Sequence, residues 1–225
     1  TSKLLIEVSG DGPDSPVRRA ETVVSGLLPF TTFEASVPIG LESPISELPS
    51  ESDERALPVR LRLLDPATGA ALDELTIELP IVRPTDVRDV TFRSAIDGST
   101  QYYAVRPPIG WSGRTSTVER GAHARSFGLV LSLHGASVEA RGQARAYAAH
   151  PDLFIVAPTN RRPFGFDWED WGRLDALEVL ADAQRRFPID PTRIYLTGHS
   201  MGGHGSWHLG VTYPDRFAAV APSAG

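Results

Sequence analysis

The spacing of apolar and polar residues changes character part-way along this 225-residue chain. In the first 85 residues, short segments such as 59–63 and 75–79 alternate strictly between apolar and polar side chains, which predicts half-buried strands. Turn residues separate these segments at short intervals, and no apolar stripe has a helical period. The pattern therefore predicts a small all-β, sandwich-like domain at residues 1–85.

The second pattern covers residues 86–225 and alternates strands with helices. A hairpin at 90–105 is followed by near-continuous apolar strands at 129–133 and 154–157, as in buried parallel sheets. Further elements are predicted as helices at 139–149, 170–187 and 203–213 and strands at 194–197 and 217–221. The helix at 170–187 has one apolar stripe, formed by Ala176, Val179, Leu180, Ala183 and Phe187. This order predicts an α/β domain with a parallel sheet covered on both faces.

Charge and composition narrow the classes of function. The net charge is −6, with −7 on residues 1–85 and +1 on residues 86–225. An acidic chain without a basic stripe argues against nucleic acid or an anionic membrane as a partner. The absence of cysteine excludes disulfides, cysteine-ligated metals and a cysteine nucleophile. No apolar run is long enough to span a bilayer.

The pentapeptide Gly198–His199–Ser200–Met201–Gly202 lies between a predicted strand and a predicted helix. A Gly-x-Ser-x-Gly sequence in that context is typical of a nucleophile elbow, in which a serine occupies a tight strand-to-helix turn. The pentapeptide alone is a weak signal, and the flanking elements make it specific. The alternative is a glycine-rich turn with a buried serine.

Several separated motifs occur in the order found in one superfamily: Leu133-His134-Gly135-Ala136, then residues 187–195, 198–203 and 213–222. On these residues the chain resembles an α/β-hydrolase. It is most similar to the branch of prolyl-oligopeptidase-like enzymes, esterase-D-like enzymes, polyhydroxybutyrate depolymerases and feruloyl esterases. The resemblance implies that Ser200 is the nucleophile and that the backbone N–H groups of Met201 and Ala136 bind the oxyanion. It also makes His134 a loop-shaping residue. No cofactor and no metal site are predicted.

The resemblance implies a triad in the order Ser, then Asp or Glu, then His. After Ser200 the sequence has one acid, Asp215, in a turn at the opposite edge of the sheet, and no histidine in a triad position. We therefore expect a C-terminally truncated hydrolase core, with the acid and the base beyond Gly225 and Ser200 nearly inert alone. His199 is expected to pack or hydrogen-bond beneath the turn. His204 and His208 share a helix face that is expected to be packed or solvated rather than to bind metal.

Candidate substrate contacts lie in the loop after the second α/β strand. Its aromatic residues could line an acyl or aromatic pocket, or form the core beneath the next helix: Phe164, Phe166, Trp168 and Trp171. Arg161 and Arg162 could hold an anionic group, although solvated charge is the favoured interpretation. Asp175 is expected to be a surface or capping residue of the helix.

The favoured function is a serine hydrolase that cleaves small-molecule or polymer-linked carboxylic esters through an acyl-enzyme on Ser200. One alternative is a prolyl-oligopeptidase-type serine peptidase, but that family usually has a β-propeller, for which 85 residues are too few. Another is a non-catalytic truncated scaffold or binding module. A small sandwich before the hydrolase suits secreted esterases, which favours a secreted or periplasmic location by analogy. The sequence predicts no oligomeric state.

Overall fold

The computed structural model describes residues 2–8, 18–24, 55–113, 126–161 and 165–225. The chain divides into two compact units, Thr1–Arg83 and Pro84–Gly225. Within the all-β domain predicted at residues 1–85, residues 9–17 and 25–54 lie outside the described residues.

The first unit has a four-stranded antiparallel sheet in the order β2–β1–β3–β4. Its strands are β1 (Ser2–Val8), β2 (Arg18–Val24), β3 (Arg55–Leu64) and β4 (Ala71–Ile81). The strands predicted at 59–63 and 75–79 lie within β3 and β4, whose pairing extends both strands at each end. The described residues of this unit form one sheet, so the second sheet of a sandwich stays a prediction.

The second unit has a six-stranded mixed sheet in the order β10–β9–β7–β8–β6–β5. Its strands are β5 (Arg88–Arg93), β6 (Thr100–Arg106), β7 (Phe127–Leu133), β8 (Leu153–Pro158), β9 (Ile189–His199) and β10 (Ala219–Ser223). The β5–β6 hairpin joins antiparallel to β8, whereas β7, β8, β9 and β10 are parallel. The predicted α/β architecture of this part of the chain is confirmed.

Three helices connect the parallel strands: α1 (Ala140–Arg145), α2 (Asp170–Arg186) and α3 (Met201–Thr212). α1 is shorter than predicted, and a 3-10 turn at Pro214–Arg216 precedes β10. None of the described helices is long and apolar enough to cross a membrane.

The core of this unit lies at the centre of the sheet. Leu129, Leu131 and Leu133 of β7 are fully buried, because β7 has strands on both sides and helices over its faces. Aromatic rings fill one side of this core, with Phe154 stacked on Phe187 at a centroid distance of 4.8 Å. This packing holds the carboxyl ends of β7, β8 and β9 at one edge of the sheet, where ligands of open α/β sheets commonly bind.

Candidate active site

The turn between β9 and α3 carries Ser200 at the carboxyl edge of the sheet. Ser200 has φ 56° and ψ −122°, a conformation that costs a non-glycine residue about 1–3 kcal/mol. Ser200 is exposed, as expected when a tight turn points its side chain away from both flanking elements. The strand–turn–helix context of the pentapeptide is thus present.

Two glycines allow this turn to close. A Cβ on Gly198 would overlap the carbonyl oxygen of Gly202, one turn further along the chain. A Cβ on Gly202 would overlap the carbonyl oxygen of Leu133 at the end of β7. Both positions therefore require glycine, because β7, β9 and the start of α3 meet with no room for a side chain.

Backbone hydrogen bonds fix Ser200 from both sides. Its N–H donates to the carbonyl oxygen of Ser223 in β10 at 3.0 Å. Its own carbonyl oxygen accepts from the N–H of His204 at 3.0 Å. The strained conformation is therefore supported by the neighbouring strand and by the first turn of α3.

The loop after β7 lies beside the nucleophile. A Cβ placed on Gly135 would lie 3.7 Å from the Cβ of Ser200. The Gly135 carbonyl oxygen accepts from the N–H of Val138 at 3.2 Å and from Nδ1 of the fully buried His134 at 2.9 Å. The loop that carries Ala136 is thus a closed turn alongside Ser200, and His134 supports it from within.

Trp168 is fully buried beneath this loop. Its Nε1–H donates to the carbonyl oxygen of His134 at 3.1 Å, and the two rings are 4.9 Å apart in an edge-on arrangement. On the other side, a Cβ on Gly205 of α3 would come within 2.5 Å of the Trp168 side chain. Trp168 could line a substrate pocket or form part of the core, and in the structure it is a core residue. Its indole has no exposed face for a substrate.

Phe166 and Trp171 differ from Trp168 because they are open to solvent. Their exposed fractions are 67% for Phe166 and 42% for Trp171. Phe166 lies in the loop between β8 and α2, and Trp171 is the second residue of α2. Phe164 and Arg162 lie outside the described residues. Phe166 and Trp171 therefore remain the candidates for contact with a substrate.

Arg161 is buried, and the prediction of a solvated charge is wrong. Its exposed fraction is 3%, and its guanidinium pairs with Asp97 at 2.8 Å and with Glu178 at 3.2 Å. Nη2 also donates to Ser94 Oγ at 3.0 Å, and the Trp171 ring lies 5.5 Å away. The reason for burial is the β5–β6 turn, which contributes Ser94 and Asp97 to the space around the guanidinium.

Asp175 is also buried, so the expectation of a surface or capping residue is wrong. Its Oδ2 accepts from the N–H of Thr159 at 3.1 Å, the N–H of Arg161 at 3.2 Å and the Thr159 hydroxyl at 3.3 Å. Burial raises the pKa of Asp175 to about 6, although these hydrogen bonds and the Arg161 charge oppose the shift. The signal was its spacing, because Asp175 lies four residues before the buried Val179.

In the described part of the chain, no histidine ring hydrogen-bonds Ser200 Oγ. His199 is exposed, with Nδ1 3.4 Å from Ser223 Oγ, and His204 Nε2 lies 3.3 Å from Glu169 Oε1. Asp215 lies in the turn before β10, away from the carboxyl edge. The triad acid and base therefore stay expectations. The described residues also contain no cluster of three or more His, Asp or Glu suited to a metal ion.

Residues 141–225 match the model of the "Putative esterase" family. The chain is 32% identical over 114 residues to poly(3-hydroxyalkanoate) depolymerase C of Paucimonas lemoignei, covering 43% of this chain and 27% of that protein. It is 32% identical over 95 residues to lipase LipV of Mycobacterium tuberculosis, covering 40% and 34%. An S-formylglutathione hydrolase structure from Staphylococcus aureus aligns with TM-score 0.49 and 21% identity over 62% of this chain and 57% of that one.

The predicted resemblance to the esterase branch of the α/β-hydrolases is confirmed by the family model and these relatives. The matching part of the chain spans about a third or less of the length of the two curated relatives.

Proposed function

We propose that this protein is a serine hydrolase of carboxylic esters that works through an acyl-enzyme on Ser200. The observation that carries the proposal is the strained turn that holds an exposed Ser200 beside the His134–Ala136 loop. Backbone strain of this kind is costly, and it persists where the surrounding structure enforces it, often at functional sites. The matches to an esterase family, a depolymerase and a lipase support the same chemistry.

In this mechanism Ser200 Oγ attacks the ester carbonyl while a base removes its proton. The carbonyl oxygen becomes an oxyanion, for which we propose the backbone N–H groups of Met201 and Ala136 as donors. Losing one such donor typically costs about 10²–10³ in rate. The alcohol leaves with a proton from the base, and water then releases the acid from the acyl-enzyme. By the resemblance, the base is a histidine oriented by an Asp or Glu.

Phe166 and Trp171 are the proposed contacts for the acyl or alcohol part of the substrate. Both rings are exposed at the amino end of α2 and follow a strand that ends at the same sheet edge as β9. Aromatic rings bury large areas against apolar ligand groups, and this property suits an ester with an aromatic or aliphatic moiety.

The test is labelling of the full-length protein with a fluorophosphonate, which reacts with activated serines. We expect rapid labelling, and complete loss of it in Ser200→Ala. Ser223→Ala is a matched control, because it removes a hydroxyl next to the same turn but keeps the carbonyl that binds the Ser200 N–H.

Absence of labelling in the full-length protein would refute the esterase proposal and favour a non-catalytic scaffold. Hydrolysis of p-nitrophenyl butyrate, compared with cleavage of a proline-containing peptide, separates the esterase from the peptidase alternative.

A further inference from the structure

A second site lies in the Pro84–Gly225 unit, between β5 and the carboxyl end of α2. It is a cavity of about 270 Å³ lined by Arg88, Val90, Arg185, Arg186 and Phe187. Arg88 opens β5, and Phe187 lies two residues before the first residue of β9. Ser200 follows the last residue of β9, and β5 lies four strands away from β9 in the sheet, so the width of the sheet separates the cavity from Ser200 by roughly 20 Å.

The charges around this cavity do not balance within the described residues. Asp182 is the one carboxylate that pairs with the lining arginines, at 2.8 Å from Arg185 Nη2 and 2.6 Å from Arg186 Nε. It is buried and also accepts a hydrogen bond from Tyr103 Oη at 3.1 Å. One buried carboxylate therefore serves two guanidinium groups.

Arg88 is the third cation, and it has no carboxylate in ion-pair contact among the described residues. Its Nη1 donates to the carbonyl oxygen of Pro84 at 2.7 Å and to that of Asp86 at 3.5 Å. The charge of Asp86 acts on it at longer range, and burial lowers the pKa of Arg88. A partly buried guanidinium held by carbonyl oxygens keeps its charge and retains donors for another acceptor.

The walls of the cavity are not purely polar. Val90 and Phe187 pack against the core and contribute apolar surface beside the guanidinium groups. Arginine pairs well with carboxylates because its planar fork can donate two parallel hydrogen bonds. A ligand that satisfies both parts of the cavity has a carboxylate and a short apolar chain.

We propose that this cavity is a binding site for small organic carboxylates, with Arg88 and Arg185 as the anion-binding groups and Val90 and Phe187 as the apolar wall. The site is separate from Ser200 and does not depend on the proposed esterase activity.

The experiment is calorimetric titration of the full-length protein with sodium butanoate in a chloride-free buffer. We expect saturable binding that weakens about tenfold or more in Arg88→Gln and in Arg185→Gln, since each removes a charged donor. Arg185 is 66% exposed, and Arg186 keeps its own bond to Asp182, so this variant retains the fold. Arg145→Gln is the matched control, because Arg145 is an exposed arginine at the end of α1.

The control must bind butanoate as the unchanged protein does. The proposal is overturned if the protein shows no saturable binding, or if both cavity variants bind butanoate with unchanged affinity. It is also overturned if inorganic phosphate binds with this arginine dependence and butanoate does not. Because Ser200 is distant, labelling at Ser200 in the two variants is a separate readout of the proposed function.

Discussion

Ser200 has a backbone conformation that residues other than glycine rarely adopt. Two features enforce this conformation: the hydrogen bond from the Ser200 N–H to the Ser223 carbonyl, and the close backbone contacts that Gly198 and Gly202 make because they lack a Cβ. Strain and glycine packing are two parts of the same turn, because relaxing the turn requires β7 and α3 to move apart. The glycines of the motif are therefore required by close backbone packing, and only its serine is required by the proposed chemistry.

Gly202→Ala tests that argument. The new methyl group would overlap the Leu133 carbonyl, and we expect a loss of about 1–3 kcal/mol in unfolding free energy together with slower labelling of Ser200. Gly142→Ala in α1 is the control, since its Cβ would lie 3.7 Å from Cγ1 of Val138, which precedes the helix, and this is an ordinary contact distance. Denaturant unfolding should show the control unchanged or about 0.5–1 kcal/mol more stable. Equal stability of the two variants would contradict the packing argument.

Individual residues were predicted from the sequence to different degrees. The position of Ser200 in a tight turn can be predicted from the sequence, because a short motif determines its local environment. Arg161 and Asp175 are exceptions to the rule that charged side chains lie at the surface, and local sequence does not reveal this. Their partners, Asp97 and Thr159, come from other elements, and only the folded chain brings them close.

At the level of elements, strands and helices of the α/β unit were predicted more reliably than their ends. β9 was predicted to begin at Ile194 and begins at Ile189. Asp190 and Pro191 are turn-forming residues, and Asp190 Oδ1 accepts a hydrogen bond from the N–H of Thr192 at 2.9 Å. Pairing with β7 includes this segment through an irregular register, which local sequence does not reveal.

The loop between β8 and α2 supports the loop after β7, which lies beside Ser200. Trp168 connects the loop after β7 to α3, and its indole N–H is the donor for the His134 carbonyl. We expect Trp168→Phe to lower the unfolding free energy by about 1–3 kcal/mol, because the His134 carbonyl loses its indole donor. Labelling of Ser200 should slow as well, because the neighbouring Ala136 loop loses support.

Trp207→Phe makes the same chemical change on α3, at a residue that is 57% exposed. Measuring labelling rate and unfolding in both variants separates support of the loop from loss of an indole. If the two variants changed equally in labelling rate and unfolding free energy, Trp168 would not support the loop beside Ser200.

At the scale of the whole molecule, the described residues form two units with different charge and topology. Strict alternation predicts the half-buried strands of the first unit, and near-continuous apolar runs predict the parallel strands of the second, because the period of apolar residues follows from which faces are buried. The strand order of the six-stranded sheet was beyond the sequence, since it depends on contacts between distant segments.

Asp175 makes the stability of the protein depend on pH. Its pKa is about 6 in the folded protein and about 4 in an unfolded chain, so the folded state binds the proton more tightly. The stabilisation is complete below pH 4 and is lost as pH rises through 6. We expect the unfolding free energy of the unchanged protein, relative to Asp175→Asn, to fall by about 2–3 kcal/mol from pH 4 to pH 8.

Denaturant unfolding of both proteins across this pH range measures the difference, in which other titrating groups cancel. Parallel stability curves would mean that Asp175 does not titrate in this window.

The central position of β7 also has a consequence for biosynthesis. β7 leaves the ribosome before either neighbour, and β8 and β9 are completed 25 and 66 residues after it. At about 5–20 residues per second, one edge of this apolar strand waits roughly 3–13 s for its partner. An apolar edge exposed for that long can pair with another chain, so we expect nascent chains halted between β8 and β9 to be the ones that chaperones bind.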